Sequence, residues 1–254
     1  MTSGVRDLPT QTFEAADGAR LSYLELGEGR PVVLLHGYLM TAYEAWVRTG
    51  VAARLANAGL RAIMPDMRGH GGSAPEDPAA YTRDVLVDDG FALLDQLGLD
   101  DPDLVGYSMG SVMALRMLIR GARAGRAVIG GTGLEPIVQM AGRGSHHRAM
   151  LGEPGSVEPG TAAERTDAYL DRIGADRVAL RRVLDTFVDT PVEALGEIEV
   201  PVLLLFGEDE DETRGSVEDL AAALPRAMIQ RVPGDHITAP RSPAFADALV
   251  EFLG

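Results

Sequence analysis

No cysteine occurs among the 254 residues. That excludes disulfides, thiolate nucleophiles and cysteine metal sites, and it leaves the redox compartment unconstrained. Lysine is missing too, so all 23 basic residues are arginine. Such a chain forms no lysine Schiff base and builds no P-loop around its lysine. No apolar run approaches the ~18 residues of a membrane span. The stretch Met1 to Thr10 carries Arg6 and Asp7 and has no apolar core. It does not read as a signal peptide, and a cytoplasmic protein away from membranes is expected. Positive charge is scarce: 38 acidic residues leave a formal −15. That opposes nucleic-acid binding, because phosphate affinity rests on clustered cations. What remains is 46% apolar and 24% charged, which fits a packed globular core rather than disorder.

Strand and helix patterns alternate along most of the chain. Thr12 to Ala15, a turn at Asp17-Gly18 and Leu21 to Leu24 read as a hairpin. Pro31 to Leu35 is a continuous apolar run, the mark of a strand covered on both faces. Thr41 and Glu44 have capping-box spacing, which predicts a helix reaching about Ala58, with Gly59 as its stop. Leu60 to Met64 is a second buried strand, and Thr82 to Leu97 a helix. Asp103 to Val105 is a third strand, Ser108 to about Arg120 a helix, and Ala127 to Ile129 a strand. The alternation pauses between 132 and 190, where Gly-rich turns such as 151–155 and Arg-rich helical stretches take over. It resumes with Pro191 at a helix start, then Val200 to Phe206, a helix from Ser216 to Leu224, a strand from Ala227 to Val232 and a helix from Ser242 to Leu253. An α/β core from 1–131 and 191–254, with a cap inserted at 132–190, is therefore expected.

Gly106-Tyr107-Ser108-Met109-Gly110 fits G-x-S-x-G between a buried strand and an apolar helix. There the chain turns sharply, small residues let strand and helix approach, and the serine Oγ is pushed out above the sheet. The plainer reading is an ordinary helix-capping serine.

Further pieces follow in order: Leu34-Leu35-His36-Gly37-Tyr38, Asp66-Met67-Arg68-Gly69-His70-Gly71-Gly72-Ser73, the serine pentapeptide, Phe206-Gly207 with an acidic run, and Gly234-Asp235-His236. Together they resemble the α/β-hydrolase fold family, in its serine-nucleophile form with a small cap. The resemblance spans almost the whole chain. It implies a mostly parallel eight-stranded sheet with helices on both faces and a helical cap insertion. It also implies Ser108 as nucleophile, with an oxyanion hole made by the backbone N–H groups of Tyr38 and Met109.

Five histidines compete for the role of base. The family order serine–acid–histidine favours His236, on a loop opened by Gly234. His36 reads as structural, bonded to backbone at a buried strand end. His70 reads as part of a shaping turn, and His146 and His147 as cap residues, exposed or touching substrate. For the acid, Gly207 is followed by Glu208, Asp209, Glu210, Asp211 and Glu212. The family's spacing from that glycine, as the resemblance implies, lands on Glu210; a one-residue shift either way gives Asp209 or Asp211. All three stay open.

Between residues 141 and 182 there are seven arginines against six acids, a net +1 in a chain of −15. One reading of Arg143, Arg148, Arg165, Arg172, Arg177, Arg181 and Arg182 is that they orient a carboxylate-bearing substrate. The favoured reading is surface pairing, such as Arg172 with Asp176 at i,i+4. The acidic run lacks calcium-loop spacing, and Gly69 to Gly72 is no dinucleotide loop, so no metal and no cofactor are expected. The expected activity is hydrolysis of a small ester or lactone through an acyl-enzyme, with a small molecule as the only partner inferred. Alternatives are carbon–carbon bond hydrolysis, a cofactor-free lyase or peroxidase on the same triad, or a non-catalytic ligand-binding protein. Serine at the elbow argues against dehalogenase and epoxide-hydrolase chemistry, which in this resemblance use Asp there.

Overall fold

The computed structural model describes residues 8–151, 160–211 and 214–254. Residues 152–155 of the expected turn, and Glu153, Glu158 and Glu212, lie outside them. An eight-stranded sheet forms the centre. Its strands are β1 (Gln11–Glu14), β2 (Arg20–Leu26), β3 (Arg30–Leu35), β4 (Leu60–Pro65), β5 (Asp103–Tyr107), β6 (Ala127–Gly130), β7 (Val202–Gly207) and β8 (Ala227–Val232). They lie in the order β1-β2-β4-β3-β5-β6-β7-β8. Only β1 with β2 and β2 with β4 run antiparallel; every other pair is parallel.

The apolar runs become the doubly covered strands. Val33 and Leu35 face one core layer with α2 (Val85–Leu97), α3 (Met109–Ile119) and α9 (Val217–Ala223). Val32 and Leu34 face the other layer, with Trp46, α1 (Val51–Asn57) and α10 (Pro243–Leu253). The parallel register sets Leu35 beside Gly106, Tyr107 beside Gly130, and Gly207 beside Val232. Five strand ends thus open onto one edge.

Three element boundaries differ from the sequence expectation. The helix expected from Thr41 to Ala58 is broken: a π-helical turn at Tyr43–Val47 precedes Gly50, whose φ of 85° ends it before α1. The cap signal itself holds, since Thr41 Oγ1 accepts from Glu44 N at 3.2 Å. Helix α2 starts three residues late because Asp84 takes a left-handed φ of 64°. Its N–H donates to Thr186 O at 2.8 Å and its carboxylate holds Arg116 at 2.6 and 2.7 Å, so long-range bonds override the local helix. Pro191 stands just outside a single turn, α8 (Val192–Leu195).

Between β6 and β7 lie α4 (Leu134–Val138), α5 (Gly144–Leu151), α6 (Ala162–Arg172) and α7 (Arg177–Thr186). The expected Arg172–Asp176 pair does not form. Asp176 caps α7, accepting from Val178 N and Ala179 N at 2.9 Å. Arg172 instead reaches across to Glu44 at 3.2 Å, which Arg48 also contacts at 2.7 Å. Burial alone would raise the Glu44 pKa, but the two guanidinium groups together lower it. Glu44 therefore stays ionised and ties the segment after β6 back to the turn after β3.

Candidate active site

Strand β5 delivers Ser108 at φ 54° and ψ −117°, a strained setting for a residue with a Cβ. The glycines around it are required by contact. A Cβ on Gly106 would lie 2.4 Å from Gly110 O, and one on Gly110 would lie 2.0 Å from Leu35 O. Ser108 N donates to Gly130 O at 2.8 Å, and Ser111 Oγ bonds Gly130 as both donor and acceptor. The turn is thereby pinned to the end of β6. Met109 opens α3, so its N–H has no intrahelical acceptor. The turn after β3 passes directly over the serine: a Cβ on Gly37 would lie 3.4 Å from Ser108 Cβ. Tyr38 follows, and its phenol donates to Leu180 O on α7 at 2.8 Å.

His236 sits on the loop after β8. The loop is shaped by Asp235, whose carboxylate accepts from Thr238 Oγ1 (2.7 Å), Thr238 N (2.8 Å) and Ile237 N (2.9 Å). Those bonds, the Thr238 hydroxyl first, hold the Asp235 pKa below the usual carboxylate value. Of the three candidate acids, Glu210 faces the imidazole, with its Oε2 3.3 Å from His236 Nδ1. Its side chain is 5% exposed, while Asp209 and Asp211 are exposed. Glu208 N donates to Val232 O and Asp209 N to Gly234 O, so the acidic loop is laced to the histidine loop.

The motif leaves its x positions blank, so the sequence carries no signal for the contacts of Tyr107. Its hydroxyl donates to His236 O at 2.8 Å and lies 3.3 Å from Glu210 Oε1. Its ring packs 5.2 Å from the imidazole. The residue just before Ser108 thus contacts both His236 and Glu210. Ser108 Oγ makes no hydrogen bond to the imidazole here among the described residues, and the His236–Glu210 contact is close but not aligned for one. Catalytic hydrogen bonds are often loose without substrate and tighten when it binds.

Above Ser108 is a small cavity of about 30 Å³. Val112, Pro136 and Met140 give it an apolar side; Thr132, Arg143, His147 and Arg214 give it a polar one. No sequence motif reaches Arg214, so only the fold shows it here. Burial, and then the charge of Arg214, lower the Arg143 pKa. His147 lines this cavity, its ring 5.2 Å from that of Tyr38. The His146 side chain lies outside the described residues. A larger cleft of about 250 Å³ near Leu24, Thr41 and Tyr43 offers no such chemistry. Its carboxylate, Asp66, is occupied by Ala42 N, Gly72 N and Ser22 Oγ.

His36 and His70 hold the loops beneath. Met67 N donates to His36 Nε2 at 2.9 Å, so the proton is on Nδ1, which donates to Gly37 O at 2.8 Å. His70 is buried with its ring 5.0 Å from that of His36. Burial first, then the His36 charge, push the His70 pKa down from 6.5 to about 3. The unfolded chain therefore takes up this proton first as pH falls. Stability tied to neutral His70 is complete above pH 6.5 and erodes down to about pH 3, by about 2 kcal/mol already at pH 5. Denaturant melts from pH 7 to 4 should show that slope, and His70→Asn should flatten it. An unchanged slope in the variant would remove His70 as its source.

Comparison with known proteins places these features in context. The profile of the alpha/beta hydrolase family matches residues 32–248. An epoxide hydrolase from Caballeronia sordidicola is 37% identical over 131 residues, 51% of this chain and 38% of that protein. The 2-hydroxymuconate semialdehyde hydrolase of Pseudomonas sp. strain CF600 is 39% identical over 107 residues, 41% of this chain and 37% of that protein. The matched stretch thus spans little more than a third of these curated relatives. Among solved structures, a hydrolase from Pseudomonas aeruginosa PA01 superposes with a TM-score of 0.75 at 26% identity, covering 100% of both chains. No described helix is long and apolar enough to cross a membrane.

Proposed function

Since the chain belongs to the alpha/beta hydrolase family, we propose that it is a serine hydrolase cleaving a small ester or lactone, with Ser108, His236 and Glu210 as its triad. The observation that carries this reading is the buried Glu210 carboxylate set against His236 at the sheet edge where Ser108 is held in its strained turn. Ser108 Oγ attacks the carbonyl carbon, and His236 takes its proton. Glu210 orients the imidazole and stabilises the imidazolium. The backbone N–H groups of Tyr38 and Met109 receive the developing oxyanion. The alcohol leaves with the proton from His236. Water, activated by the same imidazole, then releases the acid and restores the serine.

The serine also bears on the epoxide-hydrolase relative. A carboxylate that opens an epoxide becomes an ester, which water can cleave. A serine that did so would become an ether and stop after one turn. Carbon–carbon hydrolysis is the second reading, favoured by the likeness to the 2-hydroxymuconate semialdehyde hydrolase. A fluorophosphonate probe tests the nucleophile. It should label the folded protein at Ser108 and leave Ser108→Ala unlabelled; folded wild-type protein that resists the probe would overturn the reading. Burst release of alcohol from an activated ester, with acyl trapped on Ser108, separates ester cleavage from the second reading.

A further inference from the structure

We propose that the cavity over Ser108 receives a free carboxylate carried by the substrate, gripped by Arg143 and Arg214 while Ser108 attacks a nearby ester carbonyl. This rests on the serine-hydrolase reading and narrows its substrate to short hemiesters of dicarboxylic acids.

Two arginines from separate segments line the cavity that holds Ser108 and Met109. Arg143 ends the short turn Ala141–Arg143 after β6, and Arg214 lies in the loop after β7. Two guanidinium groups facing one small cavity make it favourable for an anion. Arg214 adds a second, independent sign. Its Nε is buried without a hydrogen-bond partner, and no carboxylate pairs with it among the described residues. The buried Arg68, by contrast, holds Asp17 and Asp89, and Arg116 holds Asp84. A buried guanidinium N–H without an acceptor is costly, and a carboxylate is the planar acceptor its geometry fits. Because Ser108, Met109 and both arginines line one small cavity, a carboxylate held there sits only a few bonds from the carbonyl under attack.

The test compares monoethyl succinate with ethyl levulinate, in which a methyl ketone replaces the carboxylate, by pH-stat. Wild-type kcat/KM should favour the anion by at least about tenfold, and Arg143→Met or Arg214→Met should each cost it about 10- to 100-fold, the range for a hydrogen bond to a charged group. In both variants the preference for the anion over ethyl levulinate should fall toward unity, and thermal melts matching wild type show them folded. Calorimetric titration of Ser108→Ala with the same esters reads binding without turnover and should show the same preference. Equal handling of both esters, or parallel losses on both, overturns the carboxylate grip and leaves the hydrolase reading standing. Selective binding of monoethyl succinate without hydrolysis of either ester supports the grip and overturns the hydrolase reading. No binding and no turnover with either ester overturns both.

Discussion

Replacing Ser108 with alanine is expected to lower kcat on a cleavable ester by a factor on the order of 10⁶ without disturbing the fold. The chemical loss is large because the proposed acyl-enzyme can form on no other atom. The structural loss is small because the Ser108 hydroxyl makes no hydrogen bond among the described residues, while the backbone bond to Gly130 O survives. The strained φ of 54° also survives, since alanine keeps the Cβ. Ser108→Gly removes that strain and should raise stability by about 1 kcal/mol while being equally inactive. Steady-state rates and thermal melts of the two variants check both halves. Full activity in Ser108→Ala would take the nucleophile role away from this residue.

The second large effect belongs to the acid. Glu210→Gln should lower kcat about 10⁴-fold, because an amide beside Nδ1 favours the wrong imidazole tautomer and cannot stabilise the imidazolium. Asp209→Asn and Asp211→Asn should each stay within about threefold, as expected of exposed carboxylates on the same loop. Measuring the three variants side by side decides the assignment that counting along the chain could not. A thousandfold fall in Asp209→Asn or Asp211→Asn, with Glu210→Gln near wild type, would move the role to the other residue.

The strands and the serine turn were legible in the sequence because each is fixed by local chemistry. Apolar runs such as Val200 to Phe206 fit only doubly covered strands, and Gly106 and Gly110 sit where a Cβ would meet backbone. The acid was less legible. Asp209, Glu210 and Asp211 differ by single positions, and their choice depends on how the loop is laced to Gly234 and Val232, residues more than twenty positions away. Helix α2 shows the same limit: Asp84 looks like a helix residue until Thr186 and Arg116 compete for it. The contacts of Tyr107 and Arg214 were invisible for a related reason. Each is defined by what faces it across the sheet edge, and spacing along the chain carries no trace of that. Helical spacing points Arg172 to Asp176 in its own neighbourhood, whereas the fold offers it the buried Glu44.

The phenol of Tyr38 is hooked to the carbonyl of Leu180, while its own peptide group adjoins the turn resting on Ser108. An outward swing of α7 to admit a ligand would tug on that turn. Admission and alignment are thus mechanically linked through a single side chain, and an open entrance comes with a slackened scaffold beneath it.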